Sequence, residues 1–173
     1  MPVGARRRHH LDEELLAALA LGLDDLSTRT GLPVRFVALQ ADRDDAVHAQ
    51  VAARMRAPSE RRCPGVHEVV GEVAAGRLVV AMRYHAGIAA VLGGRPAVLL
   101  GYSPKVEALA DELGDGAQLL PIQAAAIRGL GETGRAVIGQ EAAVTRARAL
   151  LQRRLQVDRA AITAGLYAAG RAG

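Results

Sequence analysis

Four polar side chains follow two apolar runs of this sequence, at the points where the runs end. Arg83 and His85 come directly after LVVAM, and Ser103 and Lys105 come directly after PAVLLG. Lys105 is the only lysine among the 22 Lys and Arg residues. Arginine offers paired donors to a carboxylate or phosphate, lysine offers a point charge, and histidine can serve as acid, base or phosphate ligand. Together these residue types indicate a site for a small, highly anionic molecule.

The elements that must position these residues are two strands, each followed by a helix. LVVAM (78–82) and PAVLLG (96–101) are apolar without alternation, as in parallel strands covered on both faces. Gly93 and Gly94 predict the end of the first helix, and Ser103 predicts the N-cap of the second, with Pro104 at its first position. Because parallel strands end at a common edge where ligands bind, we expect the four residues on one rim. The free N–H groups that begin both helices also favour an anion.

The amino-terminal part of the chain predicts the same alternation of strands and helices. Leucines recur at positions 15, 19, 23 and 26, which predicts an amphipathic helix over 11–26. Gly31 and Pro33 stop this helix. VRFVAL (34–39) predicts a strand, and Asp42 is the predicted N-cap of a second helix that ends near Arg56.

The remaining segments complete a predicted α/β fold. The stretch 57–65 is dense in turn formers and predicts a loop, and 66–76 predicts a short helix. AQLLP (117–121) predicts another strand, 122–171 predicts helices, and PVGARR (2–7) predicts a first strand. We therefore expect a Rossmann-like doubly wound parallel sheet, with residues 1–173 forming a single domain.

Composition excludes several classes of function. The formal net charge is +4 and only 2% of residues are aromatic, which argues against a nucleic-acid partner. No GxGxxG motif follows a strand and no Walker lysine motif occurs, so hydride transfer and ATP hydrolysis are not indicated. A lone cysteine, Cys63, indicates a reducing compartment. No window approaches the ~20 apolar residues of a membrane span, so we expect a cytoplasmic protein.

Each candidate residue also has a structural interpretation. Arg83 and Lys105 can be solvated loop charges, and His85 can be a helix-start residue bonded to a nearby carbonyl. Other clusters are weaker still, and we interpret them as solvated runs, caps or incomplete ligand sets: RRRHH (6–10), Asp24 with Asp25, Asp44 with Asp45, and Cys63 with His67.

The segment LVVAMRYHAGIAAVLGGRPAVLLGYSPKVEALADELG resembles the carboxyl-terminal half of the polysaccharide pyruvyl transferase family. In that family an apolar strand ends in Arg-x-His, an Ala-rich helix and a second strand follow, and a Tyr-x-Pro-Lys-Val-like segment opens the next helix. The match is best over 69–114. Gly76-Arg77 departs from the acidic residue common before the strand. The resemblance implies one half of a glycosyltransferase-B-like fold, with a helical carboxyl-terminal extension.

The resemblance also implies an activity, the transfer of the enolpyruvyl unit of phosphoenolpyruvate to two sugar hydroxyls as a cyclic ketal. It implies that Arg83 and His85 are catalytic and bind phosphoenolpyruvate, with Ser103 and Lys105 as further phosphate contacts. His85 is then either proton donor or phosphate ligand. No cofactor is expected besides this donor substrate. The family's acceptor half does not occur in this sequence, so we expect the partners to be a sugar or polysaccharide acceptor and a separate amino-terminal half or a homo-oligomer.

The alternative function is a non-catalytic or degenerate Rossmann-like module that binds a small phosphorylated metabolite. In that case the anionic ligand would bind at the same rim without being transferred to a sugar.

Overall fold

Helices and parallel strands alternate in the computed structural model, which describes residues 12–65 and 67–169. The predicted strand at 2–7 and the RRRHH run lie outside the described residues. The elements in chain order are α1 (Glu13–Thr30), β1 (Val34–Val37), α2 (Ala41–Ala52), β2 (Ser59–Arg62), α3 (Val69–Ala75), β3 (Val79–Ala81), α4 (Tyr84–Leu92), β4 (Ala97–Gly101), α5 (Pro104–Leu113), a 3₁₀ turn (Gly114–Gly116), β5 (Ala117–Pro121), α6 (Ala124–Ile127), α7 (Leu130–Val137) and α8 (Glu141–Ala169).

The described strands form two parallel groups, β1–β2 and β3–β4–β5. In the larger group Val79 pairs with Ala97, and Ala97 pairs with Ala117. The expected strands at 78–82, 96–101 and 117–121 are confirmed within a residue or two at each end.

The prediction of a loop over 57–65 was wrong, because Ser59–Arg62 is strand β2. Every residue of β2 is exposed, and three of its four side chains are charged, as is common in edge strands. Its strand conformation comes from pairing with β1, where Val34 N–H donates to Pro58 O at 3.1 Å and Ala38 N–H donates to Arg62 O at 2.9 Å. No apolar alternation in the sequence marks this pairing.

Strand β4 lies between two helical layers. Ala97 and Leu99 pack into one hydrophobic cluster with α3, α4, α5 and α8, whereas Val98 and Leu100 pack into a second cluster with α1, α2, α6 and α7. All four side chains are at most 2% exposed. The expected Rossmann-like arrangement, with helices on both faces of a parallel sheet, is therefore confirmed.

The first helix is capped by Asp12 and ends at Gly31, one of its two predicted stop residues. Asp12 is the N-cap and its Oδ1 accepts from Leu15 N–H at 2.9 Å. Gly31, at φ 69°, closes the helix through its own N–H to Ser27 O at 2.8 Å. The helix extends beyond the predicted end at residue 26 to Thr30.

The predicted limits of the second helix were wrong at both ends. Gln40, not Asp42, is the N-cap, and the Asp44 carboxylate accepts from Gln40 N–H at 2.9 Å. The helix ends at Ala52 rather than near Arg56. The Asp24 carboxylate accepts from the backbone N–H groups of Arg56 and Ala57 at 2.9–3.0 Å, which holds this segment against α1.

The carboxyl-terminal helix confirms the expected helical extension within the described residues. In its first half Val144, Ala147 and Leu151 are each at most 4% exposed, and Ala147 and Leu151 belong to the cluster that contains Ala97 and Leu99. The six side chains from Gln152 to Val157 are exposed. No described helix is both long enough and apolar enough to cross a membrane.

Candidate functional site

The candidate site centres on Arg83, which lies at the carboxyl end of β3 and is the N-cap residue of α4. Its Nε donates to Asp44 Oδ1 at 2.9 Å and Oδ2 at 3.1 Å, and its Nη2 also donates to Oδ1. The Arg83 side chain is 33% exposed, whereas that of Asp44 is 12% exposed. The carboxylate therefore fixes one edge of a guanidinium that remains accessible to solvent.

Asp44 is itself held by the backbone at the end of β1. Its Oδ2 accepts from Leu39 N–H at 3.0 Å and from Gln40 N–H at 2.9 Å. Burial alone would raise the pKa of Asp44. The hydrogen bond from Arg83, the two backbone N–H groups and the charge of Arg83 outweigh burial and lower that pKa below its ordinary value. The carboxylate is thus a charged, immobilised partner for Arg83.

His48 lies one turn further along α2. Its ring packs on Phe36 with the ring centroids 5.1 Å apart. Burial is the main cause that lowers the pKa of His48, and the charges of Arg61 and Arg83 lower it further. The charges of Asp44 and Asp45 act in the opposite direction but do not outweigh these effects. The neutral imidazole is therefore favoured next to the ion pair of Arg83 and Asp44.

Arg83, Asp44 and His48 line a cavity of about 1670 Å³ that also contacts all residues of β1 and β3. Most of the other lining side chains are apolar, including Leu23 of α1 and Tyr102 beyond the end of β4. The pair of Arg83 and Asp44 therefore lies beyond the carboxyl ends of β3 and β1, next to a largely apolar cavity.

The cavity lies between the groups β1–β2 and β3–β4–β5, where the connecting helices change from one face to the other. Helices α4 and α5, which connect β3 to β4 and β4 to β5, pack on one face, whereas α2, which connects β1 to β2, packs on the other. In doubly wound folds the crevice at such a switch point, outside the carboxyl ends of the strands, binds ligands. Arg83 lies at that position.

The other predicted site residues follow the strand ends but do not line the cavity. His85 is exposed in the first turn of α4, with its ring edge-on to Tyr84 at a centroid distance of 5.5 Å. Ser103 is the half-buried N-cap residue of α5 and makes no side-chain capping bond, and Lys105 is exposed in the first turn of that helix. Both helices nevertheless begin at the same edge of the sheet as Arg83.

Sequence reasoning missed Asp44 and His48. The interpretation of Asp44 and Asp45 as solvated or capping residues holds for Asp45, which is 57% exposed and pairs with Arg61 at 3.1 Å, but it misses the ion pair of Asp44 with Arg83. The available signal was position, because Asp44 and His48 are four residues apart on the helix that follows β1. Arg83 was selected because polar residues that follow a parallel strand lie at the edge where ligands bind, and the same argument applies to Asp44 and His48.

Among the described residues no group of three or more His, Cys, Asp or Glu side chains could hold a metal ion. Cys63 is a free, exposed thiol. The charged and polar groups near the rim are Arg83 with Asp44, His48 in the cavity, and His85, Ser103 and Lys105 at the two helix starts.

The fold and this site define a Rossmann-like α/β unit with a cationic group at its switch point. The sequence model of the polysaccharide pyruvyl transferase family matches residues 3–104. The chain belongs to this family, whose name denotes transfer of a pyruvyl group to a polysaccharide, and the suspected resemblance is confirmed. Comparison with curated proteins and with solved structures gives no match.

Proposed function

We propose that this chain is the donor-binding half of a polysaccharide pyruvyl transferase and that Arg83 binds phosphoenolpyruvate. The observation that carries the proposal is the position of the Arg83 guanidinium, accessible at the switch point and oriented by Asp44. Phosphoenolpyruvate carries a carboxylate and a phosphate, the two groups whose geometry a guanidinium matches.

The pairing with Asp44 leaves room for a ligand. A guanidinium has five N–H donors, and Asp44 engages only the Nε and Nη2 groups of Arg83. The donors on Nη1 and one on Nη2 remain for the substrate. Asp44 therefore orients Arg83 without consuming its capacity to bind an anion. The N–H groups that begin α4 add a positive dipole end beside it.

The reaction needs a proton donor and two hydroxyl nucleophiles. The enol methylene gains a proton, and one sugar hydroxyl attacks the central carbon and loses its proton. The second hydroxyl then attacks the same carbon and loses its proton as the bond to phosphate breaks and phosphate leaves. We assign His85 either to the proton transfer or to the phosphate, and Ser103 and Lys105 to further phosphate contacts. An acceptor half, on another chain or on a second copy, presents the sugar and closes the open rim against water.

The first test is calorimetric titration of phosphoenolpyruvate into the chain and its Arg83→Ala variant, with inorganic phosphate as competitor. Hydrogen bonds to a charged partner contribute about 1.5–3 kcal/mol, so Arg83→Ala is expected to weaken binding about 10- to 100-fold. The matched control is Arg29→Ala, which removes an arginine that is paired with Asp25 in the last turn of α1. Unchanged affinity in Arg83→Ala, in a protein with the wild-type circular dichroism spectrum, would overturn the assignment.

A second measurement separates the two roles of His85. If His85 donates the proton, His85→Gln keeps the affinity for phosphoenolpyruvate but abolishes phosphate release in the presence of an acceptor and an acceptor half. If His85 binds phosphate, the same variant loses affinity as Arg83→Ala does. Wild-type affinity together with wild-type phosphate release would remove His85 from the site.

A further inference from the structure

Strands β1 and β3 each have one edge that no described strand covers. Within the described residues β1 pairs only with β2, and β3 pairs only with β4. Val34 and Ala38 donate their N–H groups toward β2, so the alternate amides of Arg35 and Val37 point to the opposite edge. Val79 donates to Pro96 O, so the amide of Val80 points away from β4. We call the space between these two edges the slot.

The slot is apolar and is enclosed from both helical layers. Val34, Phe36 and Val80 line it and are only partly buried, in contrast to the fully buried β4. Leu23 of α1 lines the cavity from one layer, and Ala86 of α4 lines it from the other. The slot therefore has the surroundings of a central strand.

The winding of the chain requires a strand in the slot. Helix α1 leads into β1 and packs in the same cluster as Val51 of α2, which leads from β1 to β2. Crossovers between parallel strands are right-handed in about 98% of cases, so two helices on one face move the chain in one direction along the sheet. The strand that precedes α1 must then lie on the side of β1 opposite to β2, which is the slot.

We propose that residues 2–7, PVGARR, occupy the slot as a parallel strand between β1 and β3. The described chain begins at Asp12, the N-cap of α1, so this segment is the one that directly precedes the helix. Six residues at roughly 3.3 Å each extend about 20 Å, more than the four residues of β1 require. The family match begins at residue 3, so the segment belongs to the same unit.

Charge supports this direction of insertion. A parallel strand places Arg6 and Arg7 at the carboxyl edge, where Asp42 and Asp44 line the cavity. The small apolar residues Val3 and Ala5 then lie between the apolar edges of the slot. The resulting order, β2–β1–slot–β3–β4–β5, is the doubly wound order. The inference rests on the sheet alone and stands whether or not phosphoenolpyruvate binds.

Amide hydrogen exchange on the full chain tests the proposal. We expect the amides of Val37 and Val80 to be protected, and Val3→Asp to accelerate their exchange about tenfold or more while Val98 stays protected. The matched control His9→Asp adds the same charge outside the segment and is expected to leave the protection intact. Unprotected amides in the wild-type chain would overturn the proposal. Protection that Val3→Asp does not change would also overturn it, and light scattering would then show whether a second copy fills the slot.

A crosslink keeps the proposal testable if Val3→Asp unfolds the protein. In a Cys63→Ser background, Val80→Cys is combined in turn with Val3→Cys, Gly4→Cys and Ala5→Cys. Neighbouring strands lie within the Cα distance that a disulfide spans. At least one combination is therefore expected to form an intramolecular disulfide on oxidation. Failure of all three in a folded chain would contradict the assignment of residues 2–7 to the slot.

Discussion

The ion pair of Arg83 and Asp44 gives the sharpest test of how the rim is held together. Asp44→Asn preserves volume but removes the charge and replaces one acceptor oxygen with a donor. That donor would face either Arg83 or the backbone N–H groups of Leu39 and Gln40, all of which are donors themselves. The substitution therefore weakens charge-assisted hydrogen bonds in a group that is only 12% exposed.

The expected magnitude follows from these contacts. Hydrogen bonds to a charged group contribute about 1.5–3 kcal/mol, and the Coulombic part of the pair is reduced because Arg83 is partly exposed. We expect Asp44→Asn to lower the free energy of unfolding by about 2–4 kcal/mol, measured by urea denaturation at pH 7. The neighbouring Asp45→Asn removes a surface pair with Arg61 and is expected to cost less than about 1 kcal/mol.

The same pair predicts a pH dependence. Because the folded-state pKa of Asp44 is lowered, its stabilising contribution is present above the ordinary Asp pKa of about 4 and is lost as pH falls through the folded value. The stability of Asp44→Asn should therefore decline less over that acidic range than that of the wild type. Equal costs for Asp44→Asn and Asp45→Asn, or identical pH profiles for wild type and Asp44→Asn, would refute this account.

Three further predictions concern the packing and His48. Gly22→Ala places a Cβ 2.6 Å from Ile127 O and is expected to destabilise the fold by about 1–3 kcal/mol. Gly71→Ala places a Cβ in open space and is expected to stabilise the fold by about 0.5–1 kcal/mol. Equal shifts of the two variants in thermal melting would contradict this expectation. Leu99→Ala in the core is expected to lower the free energy of unfolding, measured by urea denaturation, by about 2–5 kcal/mol. Leu119 is 37% exposed, and Leu119→Ala is expected to lower it by less than about 1 kcal/mol. Similar losses for the two variants would argue against the two-layer core. Burial lowers the pKa of His48 in the folded state, so the unfolded state binds a proton first and stability should fall as pH drops below about 6.5. An NMR titration of His48 with an unshifted midpoint would contradict the burial of its ring on Phe36.

Much of the core of this fold was predictable because its signals are local. Helix α5 begins at Ser103 and Pro104, and β4 is a run of apolar residues bounded by turn formers. Such features depend on backbone conformation and burial within a few residues of one another. The position of Arg83 at a strand end follows from the same signals. The family resemblance read over 69–114 is confirmed by a match that extends from residue 3 to residue 104.

The contacts that shape the site could not be predicted in this way. Arg83 and Asp44 are 39 residues apart, and they meet because the end of β1 and the end of β3 face the same cavity. Strand β2 has four exposed residues and takes its conformation from hydrogen bonds to β1.

The sequence by itself determined the helices, the buried strands and the residues at the strand ends, because these depend on neighbours along the chain. Only the tertiary structure paired Arg83 with Asp44, left His85 and Lys105 exposed and placed a cavity between β1 and β3, because each depends on how distant elements pack.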